Sequence, residues 1–147
     1  MRGKQAVVET SAGTFVIQLL PEAAPNHVGL CMNLTRDGAN AGTLVHRVVR
    51  YGIIQGGDPL SKDPAQAAKD GTGGLNELRF EGSSERHTRG AVSAVLVPGN
   101  RDSAGSQFFI SVTDQPALNG QYSVFGRVAD GINVAQKISM APATGSI

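Results

Sequence analysis

Val45-His46-Arg47-Val48-Val49-Arg50-Tyr51-Gly52-Ile53-Ile54-Gln55-Gly56-Gly57-Asp58 is the stretch on which the fold turns. β-Branched residues stand on both sides of Arg50-Tyr51-Gly52, and Gln55-Gly56-Gly57-Asp58-Pro59 then reverses the chain. The spacing predicts two short strands joined by a tight turn. Successive side chains of a strand alternate between its faces. Arg47, Val49, Ile53 and Gln55 therefore share one face, and His46 and Val48 share the other. One face carries a cation, two aliphatics and an amide.

Short strands recur on either side of this stretch. Upstream, Val7 to Glu9 and Thr14 to Leu20 flank Ser11-Ala12-Gly13, the pattern of a hairpin with glycine in its loop. Pro25 to Arg36 reads as a helix, with Val28, Cys31, Met32 and Leu34 as its apolar residues, Pro25 in its first turn and Gly38 as its stop. Leu60 to Arg89 has little periodicity and is expected to be a long loop, a length that usually carries function. Ala91 to Val97 and Ser106 to Val112 are candidate neighbouring strands. In the second, Gln107, Phe109 and Ser111 lie opposite Phe108 and Ile110. Ser123 to Val128 is a further strand, followed by a helix capped by Asp130, carrying Ile132, Val134, Ala135 and Ile138, and stopped by Pro142. Short strands in this number with two helices imply a mainly β domain, a barrel or sandwich closed by helices.

Bulk composition narrows the function classes. With 147 residues and no repeat or linker, the chain is expected to form one domain, residues 1–147. Nineteen glycines are nearly twice the usual share of about 7%, which favours turns over long helices. Thirteen basic and twelve acidic residues leave a net charge of +1, so no global field draws the chain to nucleic acid or anionic lipid. The longest apolar run, Ala91 to Val97, is broken by Ser93 and is far short of the roughly 20 residues a membrane helix needs. Met1 to Thr10 lacks the apolar core of a secretory leader. One cysteine, Cys31, rules out an intramolecular disulfide and fits a reducing compartment. A cytoplasmic monomer is expected, exported only if a leader has been removed.

Several candidate chemistries fail on residue type or spacing. His27 and His87 lie far apart with no ligand-like spacing, so neither a metal nor any other cofactor is expected. His46 points away from Arg47 by parity and reads as a structural histidine. Gly105-Ser106-Gln107 is not a nucleophile elbow. Gly56-Gly57 and Gly71-Thr72-Gly73-Gly74 lack the Gly-Lys-Ser/Thr ending of a phosphate loop and read as turns. Cys31 faces the core of its helix as an inert packing residue. For an isolated strand, Arg47 is an edge charge and the glutamines are half-exposed.

The order of motifs along the chain changes that reading. Val45-His46-Arg47-Val48-Val49 followed by Gln55-Gly56-Gly57-Asp58 resembles the cyclophilins, with their Phe-His-Arg-(Val/Ile)-Ile and Gln-Gly-Gly-Asp at the same spacing. Gly71-Thr72-Gly73-Gly74, Glu77 to Phe80, His87-Thr88-Arg89-Gly90, Gly105-Ser106-Gln107-Phe108-Phe109-Ile110 and Val124-Phe125-Gly126-Arg127-Val128 follow in that family's order. The resemblance implies an eight-stranded antiparallel barrel capped by two helices, with a substrate groove outside and the last strand short or absent here. It implies peptidyl-prolyl cis-trans isomerisation, in which rotation about an X-Pro bond of a proline-containing peptide or a folding protein is accelerated without a covalent intermediate. Carried over by position, Arg47 matches the family's catalytic arginine, and Gln55 and Gln107 match its two backbone-anchoring glutamines. Ile53, Phe109 and Leu118 match the proline pocket.

This sequence also departs from the family at the groove. Arg50-Tyr51-Gly52 replaces Pro-Gly-Phe, so a pocket phenylalanine is missing unless Tyr51 supplies that wall. Val95 stands for a small alanine and narrows the groove, and Tyr122 stands for a histidine. Ala117 stands for the tryptophan or phenylalanine that helps recognise cyclosporin, so weak cyclosporin binding is expected. Gly52 and Val95 also motivate a second reading, a proline-peptide binding module that has lost most of its catalysis.

Overall fold

The computed structural model describes residues 5–38, 42–63, 65 and 71–140. Seven strands form one antiparallel sheet: β1 (Gln5–Thr10), β2 (Gly13–Leu19), β3 (Val45–Val49), β4 (Ile53–Gly56), β5 (Ala91–Ala94), β6 (Phe108–Ser111) and β7 (Val124–Asp130). Their order across the sheet is β1-β2-β7-β5-β6-β4-β3. Helix α1 (Pro25–Arg36) follows β2, and α2 (Ile132–Met140) follows β7. Helix α2 touches β2 near one edge of the sheet and β3 and β4 at the other, whereas α1 packs on β7. The sheet therefore curls far enough for strands at or next to both edges to reach one helix, a half-barrel. The position of the eighth strand, after Pro142, lies outside the described residues.

Alternation builds the core as expected. Phe15, Ile17 and Leu19 of β2 are 2, 5 and 4% exposed, and meet Val28, Ile54, Val92, Ile110, Val112 and Phe125 inside the curl. Between β1 and β3 lies an apolar cavity of about 390 Å³, lined by Val7, Val8, Leu34, Leu44 and Phe108 among others. It contains none of the groove residues named above and is not the candidate site. No helix among the described residues is long and apolar enough to cross a membrane.

Three local expectations need correction. The strand expected over Ala91 to Val97 ends at Ala94. Beyond it, Val95 donates to the Gln107 carbonyl at 3.1 Å, and the chain turns where Asn100 donates to the Val97 carbonyl at 3.0 Å. Asp130 does not cap α2; it is the last residue of β7, paired with Val16. Gly131 makes the corner, at φ +83, where a Cβ would sit 2.8 Å from both Phe15 and the Thr14 carbonyl. Finally, His46 does not point away from Gln55. The β3–β4 register slips between Val45 and Arg47, so His46 occupies a bulge, and parity fails across it.

A loop residue replaces the missing acid at the start of α1. No acidic side chain lies in the first turn of α1. Instead the Glu81 carboxylate accepts the backbone N–H groups of Asn26 at 3.1 Å and His27 at 2.8 Å, satisfying two orphan donors at the positive end of the helix. His27 Nδ1 reaches the same carboxylate at 2.5 Å. Burial pushes the Glu81 carboxyl up, but these hydrogen bonds outweigh it and hold the group below the ordinary carboxylate range. Cys31 packs against the core, and burial pushes its thiol up, away from the reactive thiolate.

Candidate active site

The β3–β4 pairing sets Arg47 opposite Gln55 and Val49 opposite Ile53. The β4–β6 pairing sets Gln55 opposite Phe109 and Ile53 opposite Ser111. Strand geometry alone thus gathers Arg47, Val49, Ile53, Gln55 and Phe109 on one face. Arg47 is exposed, Ile53 half-buried and Gln55 buried.

A directional chain of hydrogen bonds holds the arginine. Arg47 Nη1 donates to Gln55 Oε1 at 3.2 Å. Gln55 Nε2 then donates to Gln107 Oε1 at 3.1 Å, and Gln107 Nε2 donates to the Gly73 carbonyl at 2.6 Å. Both ends fix the polarity, because a guanidinium can only donate and a carbonyl can only accept. Neither amide can flip without breaking two bonds. Gln55 Nε2 also lies 3.3 Å from His46 Nε2, the contact that the bulge creates. Gln107 is 0% exposed, so it reaches the groove only through Gln55.

Beneath the chain sits an acid hub. Asp58 is 0% exposed, and its carboxylate accepts from the N–H groups of Leu60 at 2.8 Å, Gly71 at 2.5 Å and Gly73 at 3.2 Å. Ser106 Oγ donates to the Gly57 carbonyl at 2.8 Å, and Ser106 N–H donates to the Gly74 carbonyl at 2.7 Å. The run Gly71 to Gly74 is therefore a tightly packed support for the amide chain. At Gly73 a Cβ would strike the Asp58 carboxylate and lie 2.9 Å from Leu60 Cγ.

Phe109 is covered by two rings. His87 stacks on it at 5.8 Å between centroids with an 11° interplanar angle, and Tyr122 meets it edge-on at 5.2 Å. Asn119 Oδ1 accepts the His87 backbone N–H at 2.7 Å, which identifies that atom as the oxygen. His87 Nδ1, 3.3 Å from the same oxygen, is then its donor, leaving Nε2 to accept from Ser93 Oγ at 2.8 Å. Asn119 directly follows the 3-10 turn Pro116–Leu118, so His87 ties the half-buried Leu118 to the floor of the Phe109 pocket.

Burial lowers the His87 pKa, opposed by the Asn119 hydrogen bond and reinforced by the Arg127 charge. In the unfolded chain His87 titrates near its ordinary 6.5. Between that value and the lower folded one, the unfolded state binds more protons. This contribution to stability is therefore complete above the ordinary value and is lost as pH falls below it. The urea midpoint is expected to fall between about pH 7.5 and 5.5, and to fall less in His87→Gln. An identical pH dependence in the two proteins would refute this assignment.

Sequence reasoning undervalued His87, Ser93, Asn119 and Asp58. A signal existed for Ser93, the polar residue that breaks the apolar run from Ala91 and pairs opposite Phe109. Among the described residues, no group of three or more His, Cys, Asp or Glu side chains is placed to hold a metal ion.

The β3–β4 turn differs from the wall that the sequence leaves open. Tyr51 has φ +57, a left-handed conformation costing a non-glycine residue about 1–2 kcal/mol. The residue is 52% exposed at the hairpin tip and its ring makes no ring contact with Phe109, so Tyr51 does not replace the missing phenylalanine. At Gly52 a Cβ would lie 2.9 Å from Val49 Cγ1 and 3.3 Å from the Val49 carbonyl. Gly52→Phe is therefore expected to lower stability by about 1–3 kcal/mol without raising activity. Unchanged melting with increased kcat/KM would contradict this.

Comparison with known proteins matches the same span. The model of the family described as cyclophilin type peptidyl-prolyl cis-trans isomerase/CLD covers residues 6–146. A probable peptidyl-prolyl cis-trans isomerase of Brucella suis is 39% identical over 137 residues, 90% of this chain and 69% of that protein. A peptidyl-prolyl cis-trans isomerase of Helicobacter pylori is 31% identical over 147 residues, 97% of this chain and 84% of that protein. Among solved structures, a Cryptosporidium parvum cyclophilin type peptidyl-prolyl cis-trans isomerase, crystallised in the presence of the dipeptide Ala-Pro, superposes with TM-score 0.85. It is 26% identical, with 97% of this chain and 89% of that chain covered.

Proposed function

The chain belongs to the cyclophilin-type peptidyl-prolyl cis-trans isomerase family, and from that premise we propose that Arg47 lowers the barrier to X-Pro rotation in proline-containing peptides and folding proteins. The observation that carries this reading is the exposed guanidinium of Arg47, aimed by the amide chain Gln55–Gln107–Gly73.

The X-Pro amide resists rotation because its nitrogen lone pair is conjugated with the carbonyl, giving a barrier of about 18–20 kcal/mol. Twisting localises that lone pair on nitrogen. A guanidinium beside it then donates a hydrogen bond that the planar ground state hardly accepts, which is differential binding of the transition state. Of the five N–H donors of a guanidinium, Arg47 uses one on Gln55. Lysine would present a hydrated point charge without this fork. Uncatalysed interconversion takes tens of seconds, so a millisecond step needs about 10⁴-fold, or roughly 5.5 kcal/mol.

Ile53, Phe109, Leu118 and Tyr122 form the apolar side that grips the proline ring, with Val95 at the narrowed margin. Gln55 holds peptide backbone on one side of the rotating bond. Gln107, having no exposed surface, is a positioning residue for Gln55. A protease-coupled assay on a Xaa-Pro peptide tests the reading. Rates well above the spontaneous one are expected, and a rate equal to it would leave only a proline-peptide binding module. Cyclosporin is expected to bind weakly because exposed Ala117 offers no ring to it. Titration of low micromolar protein checks this, and nanomolar affinity would refute it.

A further inference from the structure

The turn that removes the family's pocket phenylalanine is itself held in place. Gly52 N–H donates to the Val49 carbonyl at 2.8 Å, closing the turn. Thr113 Oγ1 donates to the Tyr51 carbonyl at 2.6 Å, and Val112 N–H donates to the Gly52 carbonyl at 2.9 Å, so the two residues that follow β6 clamp the hairpin tip. A tyrosine in a left-handed conformation persists only where its surroundings impose it. Here they do, and the ring is set outward while the Arg50 guanidinium stacks 5.2 Å from its centroid.

The tip continues the surface that carries Arg47. Val49, 42% exposed and paired with Ile53, lies on the same face, so Arg47 and Val49 form an exposed strip along β3 that ends at the exposed Arg50–Tyr51 pair of the turn. Its glutamine end is filled by Gln55, Gln107 and Gly73, whereas its other end is open and cationic. Arg50 stands three residues beyond Arg47, about 10 Å at strand spacing, so the tip lies roughly three peptide residues from the rotating bond. Among the described residues Arg50 makes no ion pair. The carboxylate of Asp114, next to Thr113, already accepts the Arg89 backbone N–H at 2.8 Å.

We propose that Arg50 and Tyr51 form a specificity lip that selects an acidic side chain about three residues from proline, on the flank running toward the hairpin tip. This rests on Arg47 marking the groove. Tyr51 supplies the platform that holds the guanidinium in place, and Arg50 supplies the charge.

The test uses Xaa-Pro peptides with Glu, Gln or Lys three residues before or three residues after proline. Isomerisation is followed by exchange spectroscopy and affinity by titration of amide shifts, at low and high salt. At one flank the wild-type protein is expected to prefer Glu over Gln about threefold and to disfavour Lys, with the preference shrinking at high salt. Arg50→Gln brings the Glu/Gln ratio to about one, Arg50→Lys retains part of it, and Tyr51→Gly reduces it. A wild-type ratio of one at both flanks, or a ratio unchanged by Arg50→Gln, overturns the proposal. If no peptide is isomerised, the reading of Arg47 fails, and the affinity ratios still decide whether the lip exists.

Discussion

Arg47→Ala is expected to lower kcat/KM for X-Pro isomerisation by about 10²- to 10³-fold, the usual cost of deleting one transition-state donor. Among the described residues its exposed side chain makes one hydrogen bond, to Gln55, so the loss of stability should stay within about 0.5 kcal/mol. Affinity for a ground-state peptide should change far less than turnover, because the bond from Arg47 strengthens as the lone pair localises. Arg47→Lys should recover part of the rate, since the charge remains but the fork that meets Gln55 is lost. Circular dichroism and denaturant melts must accompany the kinetics. Full activity in Arg47→Ala with an intact fold would remove Arg47 from the mechanism.

The second large effect is expected at a residue with no contact to substrate. Asp58→Ala should destabilise the fold by about 3–5 kcal/mol, because three backbone donors, those of Leu60, Gly71 and Gly73, lose a fully buried carboxylate. Activity should fall with it even where the fold persists, since Gly73 also supplies the carbonyl that orients Gln107, then Gln55, then Arg47. Asp58→Asn is the milder companion. It keeps one acceptor oxygen but places an NH₂ against N–H donors, so an intermediate loss is expected. Denaturant midpoints and kcat/KM measured together separate the two contributions. If Asp58→Ala melts like the wild type, the carboxylate is not the hub described.

Much of this was legible in the residues. Alternation puts Arg47, Val49, Ile53 and Gln55 on one face and separates Ile110 from Phe109 in the neighbouring strand, and the pairings agree. Helix α1 begins at Pro25 and ends at Arg36 as its pattern predicts. Parity failed at His46 because a bulge adds one residue without any mark in local composition. Gly71 to Gly74 read only as turns, because close packing against Asp58 and Ser106 comes from residues distant in sequence. The ring stack of His87 on Phe109 was likewise invisible to periodicity, since it joins a loop to a strand. The absence of a phenylalanine at position 52 was plain. That the turn itself excludes a side chain there, and sends Tyr51 outward, required the geometry of Val49.

The most direct test of the account is two-dimensional exchange spectroscopy on a Xaa-Pro peptide with catalytic amounts of the wild-type protein and of Arg47→Ala. Cis–trans cross-peaks are expected within a second for the wild-type protein, where the free peptide takes tens of seconds. Arg47→Ala is expected to slow that exchange by about 10²-fold or more while the peptide still shifts amides lining Ile53, Phe109 and Tyr122. Saturable binding by the wild-type protein with exchange no faster than in the free peptide would contradict it, leaving a groove that holds proline without turning it.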